Sequence, residues 1–224
     1  MHRIMRNIII PVSHDIFIKD PLSSALGKRI LKESLALIEV KGIEAFNFKM
    51  LSSKVECTEA AIYRYFENKN KLLLYYINWY WGWLEYNLVY CTANLESPAD
   101  KLKMAISLLV EGPLYQENQY LNIHSLNRVV WEESNKSFMI RELKSDTKSK
   151  MLQQFYDFSE RLKDLIIAYK PDFPFPKVLV STLIWSSILN TFSQRHMADL
   201  IEENFNGQNK VDFYYNMVFN SLKR

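Results

Sequence analysis

The chain has 224 residues, of which 48% are hydrophobic and 24% charged, the balance of a globular protein with a sizeable core. Two cysteines, Cys57 and Cys91, are too few and too unpatterned for a disulfide framework or a zinc site, which favours the reducing cytoplasm. The longest mostly apolar stretch, residues 178–189, is shorter than the ~18 residues that a membrane span needs. Residues 1–75 carry twelve Lys and Arg against eight Asp and Glu, whereas the remainder is nearly neutral. This asymmetry suits a nucleic-acid-binding head on a neutral body.

Glycine and proline are scarce, at five and seven residues, so the sequence predicts an all-α fold. Residues 1–22 are interpreted as an arm, with short extended pieces at 8–10 and 16–18. A first helix is predicted from Pro21–Ser24, where Asp20, Ser23 and Ser24 are candidate caps, to Gly42. Its apolar positions are spaced as one buried face, and they are Ile30, Leu31, Ser34, Leu37 and Ile38.

Two short helices and a long one follow the first. Asn47, Thr58 and Asn68 are the predicted N-caps, because their side chains accept hydrogen bonds from the first helical turn. The tight connection at Glu56 and Cys57 makes the two short helices a candidate helix-turn-helix. Later helices are predicted at residues 98–111, 118–133, 136–169, 177–204 and 209–222, with a break at the prolines of 171–176.

The third helix has two unlike sides, as a recognition helix requires. Its inward side consists of Ala61, Ile62, Tyr65 and Phe66, and its outward side of Glu59, Ala60, Tyr63 and Arg64. An outward side of this kind can enter the major groove, where Tyr63 and Arg64 can donate to phosphates or base edges. Free backbone N–H groups at the helix starts of Asn47, Thr58 and Asn68 suit phosphate oxygens, and Lys69 is expected to add a mobile positive charge.

These residues resemble the DNA-binding domain of tetracycline-repressor (TetR) family regulators over residues 30–73. The resemblance implies that Tyr63 and Lys69 contact phosphate, and that Glu59, Ala60 and Arg64 face the bases or their flanks. The elements that carry it are Lys41-Gly42, Phe46-Asn47-Phe48, Leu51-Ser52, Thr58, Ile62-Tyr63-Arg64-Tyr65-Phe66, Asn68-Lys69 and Leu72-Leu73.

Three residues depart from the family pattern. Glu56 stands where a turn glycine is usual, so a wider turn is expected. Glu59 stands where a lysine or a small polar residue is common, and it could accept from a cytosine amine but cannot neutralise phosphate. Ala61 replaces a frequent threonine and so removes one phosphate ligand.

The resemblance also implies a variable helical body that binds an effector and pairs with a second copy through its last two long helices. Apolar and small residues at those helices agree with such pairing: Val178, Leu179, Thr182, Leu183, Trp185, Ser186, Leu189 and Phe192 in one, and Phe213, Met217 and Leu222 in the other.

A cluster of aromatic residues between 75 and 83 allows two interpretations. Core packing is favoured for it, and the alternative is the wall of a pocket for a flat or apolar effector. The residues predicted to line that pocket are Trp79, Trp83, Tyr120, His124, Arg128, Trp131 and Trp185.

No metal site, cofactor or catalytic centre is expected. His124 and His196 lack partners at helical spacing, Glu132-Glu133 lacks a histidine, and no phosphate-binding loop or nucleophile motif is present. The charges of 141–150 are interpreted as a solvated helix face. The weakest alternative is a helical enzyme using Glu132, Glu133 or Asp172.

The sequence thus predicts an arm (1–22), a helix-turn-helix DNA-binding domain (23–72) and a helical effector-binding and dimerisation domain (73–224). The predicted function is a cytoplasmic transcriptional regulator, by family default a repressor, whose dimer binds palindromic double-stranded DNA under control of a small-molecule effector. The alternative is an all-helical lipid- or small-molecule-binding protein that has lost DNA binding, which Glu56 and Glu59 leave open.

Overall fold

The computed structural model describes residues 6–138 and 150–223, with side chains throughout except at 134–138. In this part of the chain every regular element is helical, so the predicted all-α class is confirmed. The α-helices, numbered here in chain order, are α1 (Ala25–Ala45), α2 (Phe48–Val55), α3 (Glu59–Tyr63), α4 (Lys69–Thr92), α5 (Pro98–Glu111), α6 (Ile123–Phe138), α7 (Gln153–Tyr169), α8 (Pro176–His196) and α9 (Gly207–Leu222).

The helix bounds follow the capping and breaking residues closely. The predicted helix at 98–111 is confirmed, whereas α6 begins at Ile123, five residues later than predicted, because Asn122 is its N-cap and accepts from Ser125 N at 3.0 Å. The prediction that one helix spans 177–204 is wrong, since α8 ends at His196 before a short 3₁₀ turn. The helix predicted from residue 136 lies partly outside the described residues. The charged segment 141–150 falls almost wholly there as well.

Helix α1 buries a single apolar face. Five positions of that face are buried, namely Ile30, Leu31, Ser34, Leu35 and Ile38. Leu37 was predicted on this face but is only half-buried, and Leu35 is buried instead. Leu35 lies one turn after Leu31, and residues one turn apart share a helix face. The only polar member, Ser34, is satisfied by the hydroxyl of Tyr76 on α4 at 2.6 Å.

The sequence predicts that the first helix ends at Gly42. The backbone does leave helical geometry there, with φ 74° and ψ 161°, but α1 resumes beyond it. An L-residue rarely adopts this positive φ, which explains why glycine suits the position. The chain makes one more helical turn to Ala45 before it enters α2. After this turn, Phe46 and Asn47 connect α1 to α2, which begins at Phe48.

The chain divides into two compact units. The first comprises residues 1–82 and 115–155, and the second comprises residues 83–114 and 156–224. In the first unit α1 packs against α2 and α6, and in the second α5 packs against α8 and α9. The bounds predicted for the arm, head and body remain a prediction.

The arm is irregular and forms no strand over residues 6–20, contrary to the expectation of extended pieces. It is nevertheless anchored within the first unit. Ile10 and Ile16 are buried, and Ile10 lies so close to α4 that only a residue without a Cβ, Gly82, fits beneath it. Ile18 N donates to the Tyr65 carbonyl at 2.8 Å, which ties the arm to the end of α3.

Candidate nucleic-acid interface

The predicted caps of the helix-turn-helix all form. Asn47 Oδ1 accepts from Met50 N at 2.9 Å, Thr58 Oγ1 from Ala61 N at 3.2 Å, and Asn68 Oδ1 from Lys71 N at 2.9 Å. Each cap satisfies one of the N–H groups that a helix start leaves without an intrahelical partner, and the other N–H groups remain for solvent or a ligand. The sequence therefore fixes where α2, α3 and α4 begin.

Glu56 closes the connection between α2 and α3 in a left-handed conformation, with φ 53° and ψ 52°. Its N–H and that of Cys57 both donate to the carbonyl of Ser52, so the connection is a compact three-residue turn, Glu56 to Thr58. The expected widening of the turn is absent, because Glu56 adopts the backbone region that the usual glycine would occupy. A side chain in that region costs about 1 kcal/mol.

The predicted division into exposed and buried residues is present, but α3 ends at Tyr63 with Arg64 as its C-cap, so Tyr65 and Phe66 follow the helix instead of lying on it. Glu59, Ala60, Tyr63 and Arg64 are exposed, Ala61 is half-buried, and Ile62, Tyr65 and Phe66 are buried. The inward residues anchor the helix, and the outward residues form a continuous exposed strip, called here the recognition strip. Its composition of one small, one aromatic, one basic and one acidic residue can make polar contacts to a nucleic acid.

Two tyrosine side chains hold α3 and the turn that follows it. The ring of Tyr63 packs edge-on against Phe48 of α2, with centroids 5.0 Å apart and an interplanar angle of 69°, although 48% of Tyr63 remains exposed. The Tyr65 hydroxyl lies 2.7 Å from Ser24 Oγ at the start of α1. Tyr63 is thus fixed by its ring while its side chain stays accessible, and Tyr65 is committed to the fold.

Lys69 is not the mobile charge that the sequence suggested. Its Nζ donates to the carbonyl oxygens of Ile43, Glu44 and Phe46 at 2.9, 3.0 and 3.4 Å. The ammonium therefore holds the turn between α1 and α2, where carbonyls at a helix end attract a cation. A phosphate contact by Lys69 stays a prediction.

Two basic residues that the sequence analysis did not single out are exposed on α2, the helix that precedes the recognition strip in the chain. Lys49 and Lys54 are exposed on α2, and neither has an ion-pair partner among the described residues. They could have been recognised from the same helical periodicity, since Phe48, Leu51 and Val55 occupy the buried side of that helix.

The residues predicted to line an effector pocket belong to both compact units. Within the first unit, Trp131 Nε1 donates to the hydroxyl of Tyr80 at 2.7 Å, Arg128 pairs with Glu39 at 3.1 Å, and His124 is exposed. Trp79 is fully buried there. In the second unit, Trp83 is fully buried and Trp185 half-buried. Their role in ligand binding stays a prediction.

Burial agrees with core packing for the aromatic residues of α4. Tyr75, Tyr76, Trp79, Tyr80 and Trp81 are each at most 2% exposed in the first unit. Burial raises the pKa of the phenols of residues 75, 76 and 80, which therefore stay neutral at physiological pH. These side chains stabilise the unit as uncharged hydrogen-bonding aromatics.

The described surface of each unit has a cleft. One, of about 500 Å³ in the first unit, is lined by Arg6, Lys32 and residues 116–122, which include Tyr120 of the predicted pocket. The other, of about 400 Å³ in the second unit, has Asn190, Ile201 and Phe213 in its lining. The described residues contain no cluster of three potential metal ligands. They also contain no helix with the length and hydrophobicity to span a bilayer.

Comparison with known proteins is informative for the helix-turn-helix and the fold. Residues 30–76 match the family model described as bacterial regulatory proteins, tetR family. A search of curated protein sequences found no match.

Several solved structures share the fold at 13–14% identity. AibR, in complex with isovaleryl coenzyme A and operator DNA, has a TM-score of 0.56 and 14% identity, covering 86% of this chain and 98% of that one. The fatty acid degradation regulator FadR from Bacillus halodurans has a TM-score of 0.61 and 13% identity, with 85% and 92% covered. A protein described in the control of antibiotic production by bacterial hormones has a TM-score of 0.55 and 13% identity, with 89% and 98% covered.

Proposed function

The chain belongs, through residues 30–76, to the TetR family of bacterial regulatory proteins, and from this we propose that it is a ligand-controlled transcriptional repressor that binds DNA as a homodimer. The observation that carries the proposal is the recognition strip on α3. It is exposed on a helix that is anchored by buried residues on its other side and capped at Thr58. This combination is what a helix needs to enter the major groove without distortion of the fold.

The residues of the interface divide by role. Asn47 and Thr58 begin helices whose N–H groups suit phosphate oxygens, and Tyr63 donates its hydroxyl to a phosphate. Glu59, Ala60 and Arg64 face base edges, where an arginine prefers guanine and an acid can accept from cytosine. Lys69 supports the interface by holding the turn before Asn47.

A stripe on α8 supports pairing with a second copy. Val178 and Leu189 are 60% and 50% exposed, and Thr182 and Trp185 lie between them at helical spacing. Leu179 and Leu183, which were expected on the same surface, are buried in their own unit instead. Phe213 of α9 adds an exposed aromatic ring. Apolar stripes of this kind stabilise a protein when a partner covers them.

The mechanism is a two-state linkage. A dimer that holds its two α3 helices about 34–36 Å apart matches successive major grooves and binds a palindromic operator in the cytoplasm. An apolar or aromatic effector that binds better to a dimer with a different spacing releases the DNA. The size of the shift in equilibrium is set by the difference between the effector's affinities for the two states. The similar structure of AibR, in complex with isovaleryl coenzyme A and operator DNA, supports the small-molecule effector. The proposal assigns no catalytic role to the chain.

The test is fluorescence anisotropy of the full chain on its own upstream intergenic DNA, across a salt series with unrelated DNA as competitor. Specific binding that weakens with salt is expected. Tyr63→Phe keeps the ring on Phe48 and loses only the hydroxyl, so affinity should fall about three- to tenfold on all sequences with stability unchanged. Arg64→Ala should instead change which operator variants are preferred.

Lys41→Ala is the matched control, because Lys41 is exposed on α1 outside the recognition strip. Equal affinity for specific and unrelated DNA at every salt concentration would reject the repressor and favour the helical binding protein without DNA affinity. Pairing is tested separately by light scattering, where Leu189→Glu should convert a dimer to a monomer and Val40→Glu, at an exposed site on α1, should not.

A further inference from the structure

The first unit contains a polar cleft that the proposed function does not use. It measures about 500 Å³ and lies between the arm, α1 and the segment 116–122 that leads into α6. Its walls are hydrogen-bonded in place: Gln119 N donates to the carbonyl of Arg6 at 3.0 Å, and Asn118 Nδ2 donates to that of Ile8 at 3.0 Å. The cleft is therefore built by specific contacts between segments that are distant in the sequence, such as Ile8 and Asn118, 110 positions apart.

The charges at this cleft are mostly positive. Arg6 and Lys32 line it, and Lys28 lies one turn before Lys32 with its ammonium 5.7 Å from the centroid of the Tyr120 ring. Lys32 has no carboxylate partner within the described chain. The single acid in the lining, Glu117, is 4.0 Å from Arg6, and both side chains are more than 60% exposed, so this pair is weak.

Amide and aromatic groups complete the lining. Gln116 and Gln119 are exposed, and Tyr120 presents a half-buried ring. Basic groups supply charge-assisted hydrogen bonds to anionic oxygens, while amides bind either a donor or an acceptor on the same ligand. The lining thus favours an anion with several oxygens over an apolar molecule.

We propose that this cleft binds a small polyanion, carrying two or more phosphate or carboxylate groups, between Arg6 of the arm and Lys32 of α1. The site differs from the aromatic pocket predicted for the effector, of which Tyr120 alone lines the cleft. Several exposed cations acting together give modest affinity, with a dissociation constant of roughly 0.1–1 mM at low salt.

A ligand at this cleft contacts the same arm that reaches the DNA-binding helices. Beyond Ile8, the carbonyl of Asp15 accepts from Lys71 Nζ at 2.6 Å, and Ile18 N donates to the carbonyl of Tyr65 at 2.8 Å. A polyanion bound to both Arg6 and Lys32 strengthens the attachment of the arm to α1 near residue 6. The polyanion therefore modulates DNA affinity, a consequence that rests on the proposed function.

Isothermal titration calorimetry of the full chain without DNA tests the site, with pyrophosphate and citrate as probes at matched ionic strength. At least one probe should bind, and Lys32→Ala and Arg6→Ala should each weaken binding about tenfold. Lys41→Ala, an exposed lysine of α1 outside the cleft, should leave it unchanged. Stronger binding of pyrophosphate assigns a phosphate ligand, and stronger binding of citrate assigns a polycarboxylate.

Absence of binding by both probes, or equal affinity in wild type and Lys32→Ala, would overturn the site. The anisotropy assay then tests the coupling: a saturating probe should change DNA affinity in wild type and in Lys41→Ala but not in Lys32→Ala. A chain that binds pyrophosphate without binding DNA would contradict the proposed function while leaving the cleft in place.

Discussion

The buried carboxylate of Glu133, on α6, accepts a hydrogen bond from the backbone N–H of Ile43 at 3.1 Å, 90 residues earlier in the chain. Ile43 follows Gly42, where the α1 helix is interrupted. On the other side of the same turn, Lys69 Nζ binds the carbonyl of Ile43 at 2.9 Å. The segment that leads into the DNA-binding helices is thus held by one anion, 90 residues away from Ile43 in the sequence, and by one cation, 26 residues away.

Glu133→Ala should lower the free energy of unfolding by about 2 kcal/mol, because it leaves a buried N–H without its charged acceptor. Glu133→Gln keeps an oxygen that can accept the bond and should cost less than half as much. Urea unfolding followed by circular dichroism measures both. Glu44→Ala is the control, since Glu44 is exposed in the same turn; equal losses in all three variants would disprove the role of Glu133.

Lys69→Met should lower stability by about 1–2 kcal/mol, since the methionine keeps the apolar stem and removes the charged donor from three carbonyls. DNA affinity should fall because the entry to α2 loosens. The slope of affinity against salt should stay the same, since the ammonium is occupied within the protein. A slope smaller by about one unit would instead assign to Lys69 the direct phosphate contact that the family resemblance implies.

The elements of the DNA-binding head could be predicted from local sequence because their determinants are local. Caps act over three residues, as at Asn47 and Thr58, and the division of α3 into two faces follows helical periodicity alone. The roles of Glu133 and Lys69 depend on partners 90 and 26 residues away, which no spacing rule reveals. The effector pocket was predicted from residue type without a fold, and it stays a prediction.

Glu56→Gly should raise stability by about 0.5–1 kcal/mol, because glycine occupies the left-handed region without the cost that a side chain carries. The hydrogen bonds to the Ser52 carbonyl come from the backbone and survive the change. Removal of a negative charge beside the recognition strip should also strengthen non-specific DNA binding at low salt. Thermal unfolding and anisotropy measure the two effects.

Glu56→Ala separates the backbone effect from the charge effect. It removes the carboxylate but keeps a Cβ, so it should match Glu56→Gly in DNA affinity while gaining no stability. A stability gain of equal size in both variants would show that charge repulsion, and not the left-handed backbone, is the source of the cost at this turn.

Lys210 gives the second unit a distinctive pH dependence. It is a buried residue of α9 whose Nζ donates to Thr191 Oγ1 at 2.8 Å. Burial, followed by repulsion from Arg195 on α8, lowers the pKa of Lys210 to about 8, although Glu111 on α5 acts in the opposite direction. Between about pH 8 and pH 10.5 the unfolded chain therefore holds a proton that the folded chain has released, and stability increases with pH across that window.

Lys210→Met should abolish this increase, which amounts to about 2 kcal/mol between pH 7.5 and 9.5 for wild type. Urea unfolding at four pH values over this range gives the free energy of unfolding of both proteins. The contributions of other titrating groups cancel in the difference between the two. The buried phenols of Tyr75 and Tyr76 stay neutral over the same range, because burial raises their pKa. Lys223→Met, at an exposed lysine just after α9, should follow the wild-type curve. Parallel curves for wild type and Lys210→Met would mean that Lys210 keeps its proton in the folded protein, and that the second unit tolerates a buried charge.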